Sequence, residues 1–415
     1  MPNPNTNFKN SSGLDLGNVL ITKEYLMTVY PQIANQLITP ELWSWGRNSA
    51  GQLGDNTTTN RVTPVTTIGG GANWRQVSCS GVGNAITGAI KLDGTLWTWG
   101  WGQDGILGNN NGGSFSWPSP STTFAGGTNW KQVSVSRSHS AAIKTDGTLW
   151  TWGLNSNGRL GDNTSSTRLT PVTTFAGGTN WKQVSCGCNP YDVFMGCTAA
   201  IKTDGTLWTW GRNAYGQLGD NTTTNRVTPV TTFAGGNNWK QVSCGGQFVS
   251  AIKTDGTLWG WGYNNLGQLG TNNTTNRPTP GTTFAGGTNW KQVSCEGGFS
   301  SSAIKTDGTL WVWGVNSGTL GTGSDVSIKL TPVTTFAGGT NWKQVSMGEG
   351  TTAAIKTDGT LWGWGRNAYG QLGTSSAITP ICSPVIIFGG TNWKQISSNA
   401  VNMSAIRTSD DLQGI

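Results

Sequence analysis

Lys253-Thr254-Asp255-Gly256-Thr257-Leu258-Trp259-Gly260-Trp261-Gly262 is the stretch whose reading decides the fold. Asp255-Gly256 is a strong two-residue hairpin signal, because a type I′ turn needs positive φ at both central positions. Val249–Lys253 before the turn and Leu258–Gly262 after it read as strands. Trp259 and Trp261 stand at i and i+2 and share one face, while Leu258 takes the other. A strand with apolar side chains on both faces has to be covered on both.

The same phrases recur outward from this point. Leu-Trp-x-Trp-Gly occurs seven times, at Leu42–Gly46, Leu96–Gly100, Leu149–Gly153, Leu207–Gly211, Leu258–Gly262, Leu310–Gly314 and Leu361–Gly365. The steps between copies are 54, 53, 58, 51, 52 and 51 residues. Asn-Trp-Lys-Gln-Val-Ser, or a near variant, runs in step with it from Asn73 to Asn392. A strand-and-turn repeat of about 50 residues points to a β-propeller with one blade per copy. Lys-x-Asp-Gly-Thr-Leu-Trp has six copies, not seven. The first Leu-Trp-x-Trp-Gly lacks the Asp-Gly turn before it, and the last Asn-Trp-Lys-Gln is followed by Ser404–Thr408 and then the end of the chain. Each terminus holds the half that the other lacks, so one blade is shared and the seven-bladed ring closes with no free sheet edge. The expected organisation is an all-β propeller over 41–415 and an N-terminal arm over 1–40.

Composition agrees with short strands and tight turns: 63 glycines in 415 residues, with 11% charged. The 23 Trp argue against disorder. Net charge is +7, yet Lys or Arg follows every Asn-Trp (Arg75 to Lys394) and precedes each Asp-Gly or its equivalent (Lys91 to Arg407). Cations spaced evenly round a ring give no basic stripe, which disfavours nucleic acid as a partner. The polar opening Met1–Asn7 lacks a secretory signal, and no run is apolar enough for membrane insertion. A cytoplasmic or virion location is expected.

Residue types that could carry chemistry fall on repeat positions. Of the 23 Trp, 21 belong to the two phrases and are expected to pack between blades. Cys79, Cys186, Cys244 and Cys295 share a slot with Val135, Met347 and Ser398, which marks a small buried site rather than a ligand. Cys188 and Cys197 flank the one clear insertion; they either pair or remain free thiols. His139 occupies the slot of Ile86, Cys197, Phe248, Ser300, Thr351 and Asn402 and has no partner for general-base work. The repeated Asp of Asp-Gly is explained by turn chemistry. The reading is not an enzyme, with no cofactor and no metal.

Gly-x-Asn-x-x-Gly-Gln-Leu-Gly after a Trp-Gly, clearest at Gly46–Gly54, Gly211–Gly219, Gly262–Gly270 and Gly365–Gly373, resembles the regulator-of-chromosome-condensation repeat. The resemblance covers roughly 41–410 and recurs seven times. It implies a seven-bladed propeller with a shared terminal blade, and its Trp-rich form looks like bacterial and phage versions. Members of that family include an exchange factor for a small GTPase, chromatin binders and a β-lactamase inhibitor. The near-identity of the blades departs from what an exchange factor would show.

If the repeats are scaffold, function sits where the pattern breaks. The arm carries Tyr25, Leu26, Val29, Tyr30 and Ile33 at helical spacing, interrupted by Pro31. The insertion carries Tyr191, Asp192 and Phe194, and Trp101 and Trp117 fall outside the repeat. These are the candidate partner-binding residues. The leading expectation is a non-enzymatic scaffold, a phage virion component of tail, fibre or baseplate that docks through its arm. The alternatives are a soluble regulator that binds a GTPase or inhibits an enzyme, and a lectin-like binder of a cell-surface receptor.

Overall fold

A computed structural model describes residues 39–408, apart from 69–70, 83–84, 190, 195, 296–298, 324–326 and 378–379. The arm residues Tyr25, Leu26, Val29, Tyr30 and Ile33 lie outside this range. The described residues form 28 strands and one 3₁₀ turn, Gln103–Gly105. The strands make seven four-stranded antiparallel sheets. Blades 1 to 6 follow chain order, beginning at Trp74, Trp130, Trp181, Trp239, Trp290 and Trp342. Blade 7 joins Trp393–Ser398 and Asn402–Thr408 to Pro40–Gly46 and Arg61–Thr66. The ring is therefore closed by the two ends of the chain, as the phasing of the repeats predicts.

Blade 4 shows why the sequence folds this way. The inner strand Trp239–Cys244 pairs with Phe248–Lys253, which pairs through the Asp-Gly turn with Leu258–Gly262 and then with the outer strand Arg277–Thr282. Asp255 accepts from the backbone N–H and the hydroxyl of Thr257, at 2.9 and 2.7 Å, which fixes the turn. Trp239, Val242, Ala251 and Trp261 on one face pack on Ile201, Leu207 and Leu218 of blade 3. Ile252 and Leu258 on the other face pack on Trp290, Val293 and Trp313 of blade 5. Each seam thus buries one Trp-rich face against one aliphatic face, and the hydrophobic core is distributed over the seams. The Trp261 indole N–H donates to the Gln217 carbonyl of blade 3 at 3.0 Å. Gly219 (φ +66°) approaches the same indole so closely that a Cβ would lie 2.7 Å from its nitrogen.

The two Trp of the phrase have different roles, which corrects the expectation that both are locked between blades. Trp45, Trp99, Trp152, Trp210, Trp261, Trp313 and Trp364 are fully buried. Their neighbours two residues earlier, such as Trp97, Trp150 and Trp259, are half-buried at the end of the strand next to the Asp-Gly turn. There the Trp259 indole donates to the Thr257 hydroxyl, and Lys253 Nζ lies 4.8 Å from the Trp239 ring and 4.3 Å from that of Trp259. The position at the strand end leaves one side of the ring in reach of solvent, and the Lys of the preceding strand covers it.

A second belt closes the ring on its inner side. Gln241 donates to the Val293 carbonyl and accepts from the Val293 N–H of the next inner strand, both at 3.0 Å. Ser243 Oγ accepts from Cys295 N at 2.9 Å. Gln and Ser repeat these contacts at every seam, including blade 7 to blade 1, where Gln395 spans to Val77. Neighbouring inner strands diverge too far for a backbone ladder, so side-chain amides supply what a ladder would. The propeller has two ends: a hairpin end with the Asp-Gly turns, and a turn end where the first and second strands of each blade meet.

Candidate partner-binding site

The turn end of blade 3 carries the insertion. The paired strands Trp181–Cys188 and Gly196–Lys202 run longer than in other blades, and 189–194 follows between them. Asn189 Oδ1 accepts from Tyr191 N and Asp192 N at 2.8 and 3.1 Å, and Asp192 Oδ1 accepts from Phe194 N at 2.8 Å. Asp192 thereby shapes the turn that presents Phe194. The fully buried Arg159 of blade 2 donates to Val193 O at 2.6 Å, Phe194 O at 2.9 Å and Ser138 Oγ at 2.6 Å. Arg159 stands in the slot that holds Gln52, Gln217, Gln268 and Gln371 in four other blades, Ile106 in blade 1 and Thr319 in blade 5. A buried guanidinium needs partners, and the insertion supplies them.

Tyr191 and Phe194 are exposed, at 63% and 53%. Tyr191 spans to blades 5 and 6: its hydroxyl donates to Glu349, and its ring stacks on Phe299 with centroids 6.1 Å apart. Glu349 is only 6% exposed and faces the Arg366 guanidinium at 3.8 Å. Burial pushes the Glu349 carboxyl above the ordinary range, opposed by the Tyr191 hydroxyl and by Arg366 and Arg137. The hydrogen bond to Glu349, followed by burial, raises the Tyr191 phenol. Tyr191, Phe299, Glu349 and Arg366, with Ser317 and Thr319, line a cleft of about 180 Å³. The arrangement offers a carboxylate, a guanidinium and an aromatic edge to a partner side chain. Sequence reasoning found Tyr191 and Phe194 but missed Phe299, Glu349, Arg366 and Arg159. Only Arg159 left a local signal, a charged residue in a slot that is otherwise Gln, Ile or Thr, beside the one clear insertion.

Trp101 and Trp117 are not joined to this cleft. They flank the outer pairing of blade 1, where Gly100 pairs with Trp117 and Trp101 with Ser116. Both are half-buried and pack on the seam between blades 1 and 2. Trp117 takes the position held by Arg61, Arg168 and Arg226 in blades 7, 2 and 3. Those arginines pair with Asp55, Asp162 and Asp220 at 2.7 Å. Trp117 substitutes apolar packing for that ion pair, and its buried indole N–H has no hydrogen-bond partner among the described residues.

His139 is buried in the seam between blades 2 and 3, with Nδ1 2.9 Å from Ser136 Oγ and Nε2 2.8 Å from Thr198 Oγ1. Both hydroxyls also reach carbonyls, Thr198 donating to Arg159 O and Ser136 to His139 O, each at 2.8 Å, so the imidazole is held on both sides by polar groups. Cys197 is a buried free thiol beside Cys244, and burial raises the Cys244 thiol well above its usual value. Among the described residues no group of three His, Cys, Asp or Glu side chains could hold a metal ion, and no helix is long and apolar enough to cross a membrane.

A family profile described as the regulator of chromosome condensation (RCC1) repeat matches residues 41–85, 93–143, 146–189, 204–252, 255–303 and 358–398. The chain belongs to the RCC1 repeat family. The ultraviolet-B receptor UVR8 of Arabidopsis thaliana is 29% identical over 87% of this chain and 82% of its own length. RUG3, a mitochondrial RCC1 domain-containing protein of the same plant, is 28% identical over 85% of this chain and 83% of its own. The structure of yeast RCC1 (Prp20) bound to Kap60 superposes with a TM-score of 0.77 at 16% identity, over 91% of each chain, and shows the shared fold. These relatives are plant and yeast proteins rather than bacterial or phage ones. The matched profile describes a repeat and not a catalytic domain.

Proposed function

We propose that this chain is a non-catalytic protein-binding regulator whose partner docks on the turn end, over the cleft of Tyr191, Glu349 and Arg366. The observation that carries this is the insertion 189–194. It breaks the repeat, is held by the buried Arg159, and presents exposed Tyr191 and Phe194 beside a buried carboxylate. Aromatic and Arg anchors around a shielded polar pair are what protein interfaces use. A small GTPase, or an enzyme held in check, is the partner class in view. The yeast relative is found with Kap60 bound, so propellers of this family do engage other proteins. The virion and receptor readings draw no support from the relatives or the site and are not carried forward. The arm of residues 1–40 is a separate docking segment in this reading.

A photo-crosslinking residue at position 194, compared with one at position 233 on the hairpin end, tests this in the native host. The expected result is one discrete protein adduct from position 194, lost when Arg366→Glu is added. Adducts from both positions, or from neither, refute the reading.

A further inference from the structure

The hairpin end carries a feature that the protein-binding reading does not use. The residue that follows the buried Thr at the end of each outer strand is Phe in blades 1 to 5, at Phe124, Phe175, Phe233, Phe284 and Phe336. Blade 6 has Phe388 and blade 7 has Ile68. All seven are exposed, from 41% for Phe388 to 74% for Phe336. Their loops lie at the end of the Asp-Gly turns: Thr283 N donates to Leu258 O just after the turn of blade 4, and Trp290 N donates to Gly256 O within it. Phe388 lies 6.1 Å from the ring of the half-buried Trp43 in the next blade. The same end carries two cations per blade against one carboxylate. One cation is the exposed Lys or Arg after each Asn-Trp, and the other is the Lys or Arg over the Trp rings. The carboxylate is the Asp of Asp-Gly, or Glu41 in blade 7.

We propose that the hairpin end docks on an anionic lipid surface, with the seven apolar side chains at the headgroup boundary and the exposed cations on the lipid phosphates. An exposed Phe or Ile costs free energy in water and serves no blade contact that requires exposure. Their recurrence at the same end of all seven blades gathers them into one apolar-studded face, the kind of surface that a docking partner covers. A protein partner reads an asymmetric constellation, as at the turn end. Seven equivalent anchors, one per blade, fit a laterally uniform medium. The excess of cations gives that medium its sign, since an anionic leaflet attracts each nearby Lys or Arg. Half-buried Trp with Lys alongside matches the interfacial zone of a bilayer, where amphipathic rings and long cationic stems both find a place.

Sedimentation of the full chain with vesicles of phosphatidylcholine alone, and of phosphatidylcholine with phosphatidylserine, tests this. The expected result is binding to the phosphatidylserine vesicles that weakens with salt. Combining Phe175→Ser, Phe233→Ser and Phe284→Ser should reduce partitioning roughly tenfold or more, with the circular dichroism unchanged because these rings are exposed. Combining Lys182→Glu, Lys240→Glu and Lys291→Glu should reduce it by at least a factor of about five per residue. Brominated lipid should quench the tryptophan fluorescence of the wild-type chain. Three results overturn the proposal: no binding at low salt, equal binding to both vesicles, or binding that the triple Ser variant retains. A dimer that the triple Ser variant abolishes would also overturn it, by assigning the ring to a second copy.

Discussion

At the scale of the residue, the buried Trp of each Leu-Trp-x-Trp-Gly is among the largest fully buried side chains and fills a seam between blades. Trp261 fills the space between blades 3 and 4 and satisfies the Gln217 carbonyl. Trp261→Ala should lower stability by about 3–5 kcal/mol, measured by denaturant unfolding. Trp259→Ala should cost clearly less, because its ring is half-exposed and its polar contact is to a local Thr. His139 gives a pH signature. Burial, and then the charge of Arg159, hold the ring well below its ordinary pKa, so it stays neutral in the fold. The unfolded chain takes up a proton as pH falls through about 6.5 while the folded chain does not. The unfolded state then binds more protons and stability falls on the acid side. His139→Gln should flatten the melting temperature between about pH 7 and about pH 5 relative to wild type.

At the scale of the element, the insertion and Arg159 form one unit. Replacing 189–194 by a short turn removes the carbonyl partners of a buried guanidinium, and the stability loss should be roughly 2–4 kcal/mol. Adding Arg159→Gln, the residue of blades 3, 4, 6 and 7, should recover most of it. A double-mutant cycle by urea unfolding reads that coupling, and additive losses would show that the two are independent. The periodic strands were legible because their apolar spacing and Asp-Gly turns are local properties. The outer strands, such as Arg277–Thr282 with its Pro278 and Pro280, read from the sequence as a Thr/Pro-rich segment that completes each unit as a short outer strand, and their edge position in the sheet is what tolerates the prolines.

At the scale of the whole molecule, closure is the main fact. Blade 7 is held by pairing between strands more than 350 residues apart, seen in Ser44 Oγ 2.9 Å from Ser404 Oγ, and by the Gln395–Val77 contact. Truncation after residue 392 removes both inner strands of that blade and leaves two seams open. The truncated chain should lose its single cooperative unfolding transition and expose apolar surface to a hydrophobic dye. Deleting residues 1–38 leaves every described strand intact, so the melting temperature should stay within about 2 °C of wild type. A larger fall would make the arm part of the ring rather than a docking segment.

The sequence by itself determined the blade count, the phase of the repeat and the shared blade, because each rests on spacing that a chain carries along its length. It also marked 189–194 as one of three places where the pattern breaks, with the arm and the Trp101–Trp117 stretch. Only the tertiary structure decided what that break meets. Glu349 lies 158 positions from Tyr191, and Phe299 and Arg366 belong to still other turns; ring closure alone brings them to one end. The exposed Phe loops show the same division. Their sequence reads as simple Gly-Gly turns, and only their common placement around one end, beside two cations per blade, makes them a surface.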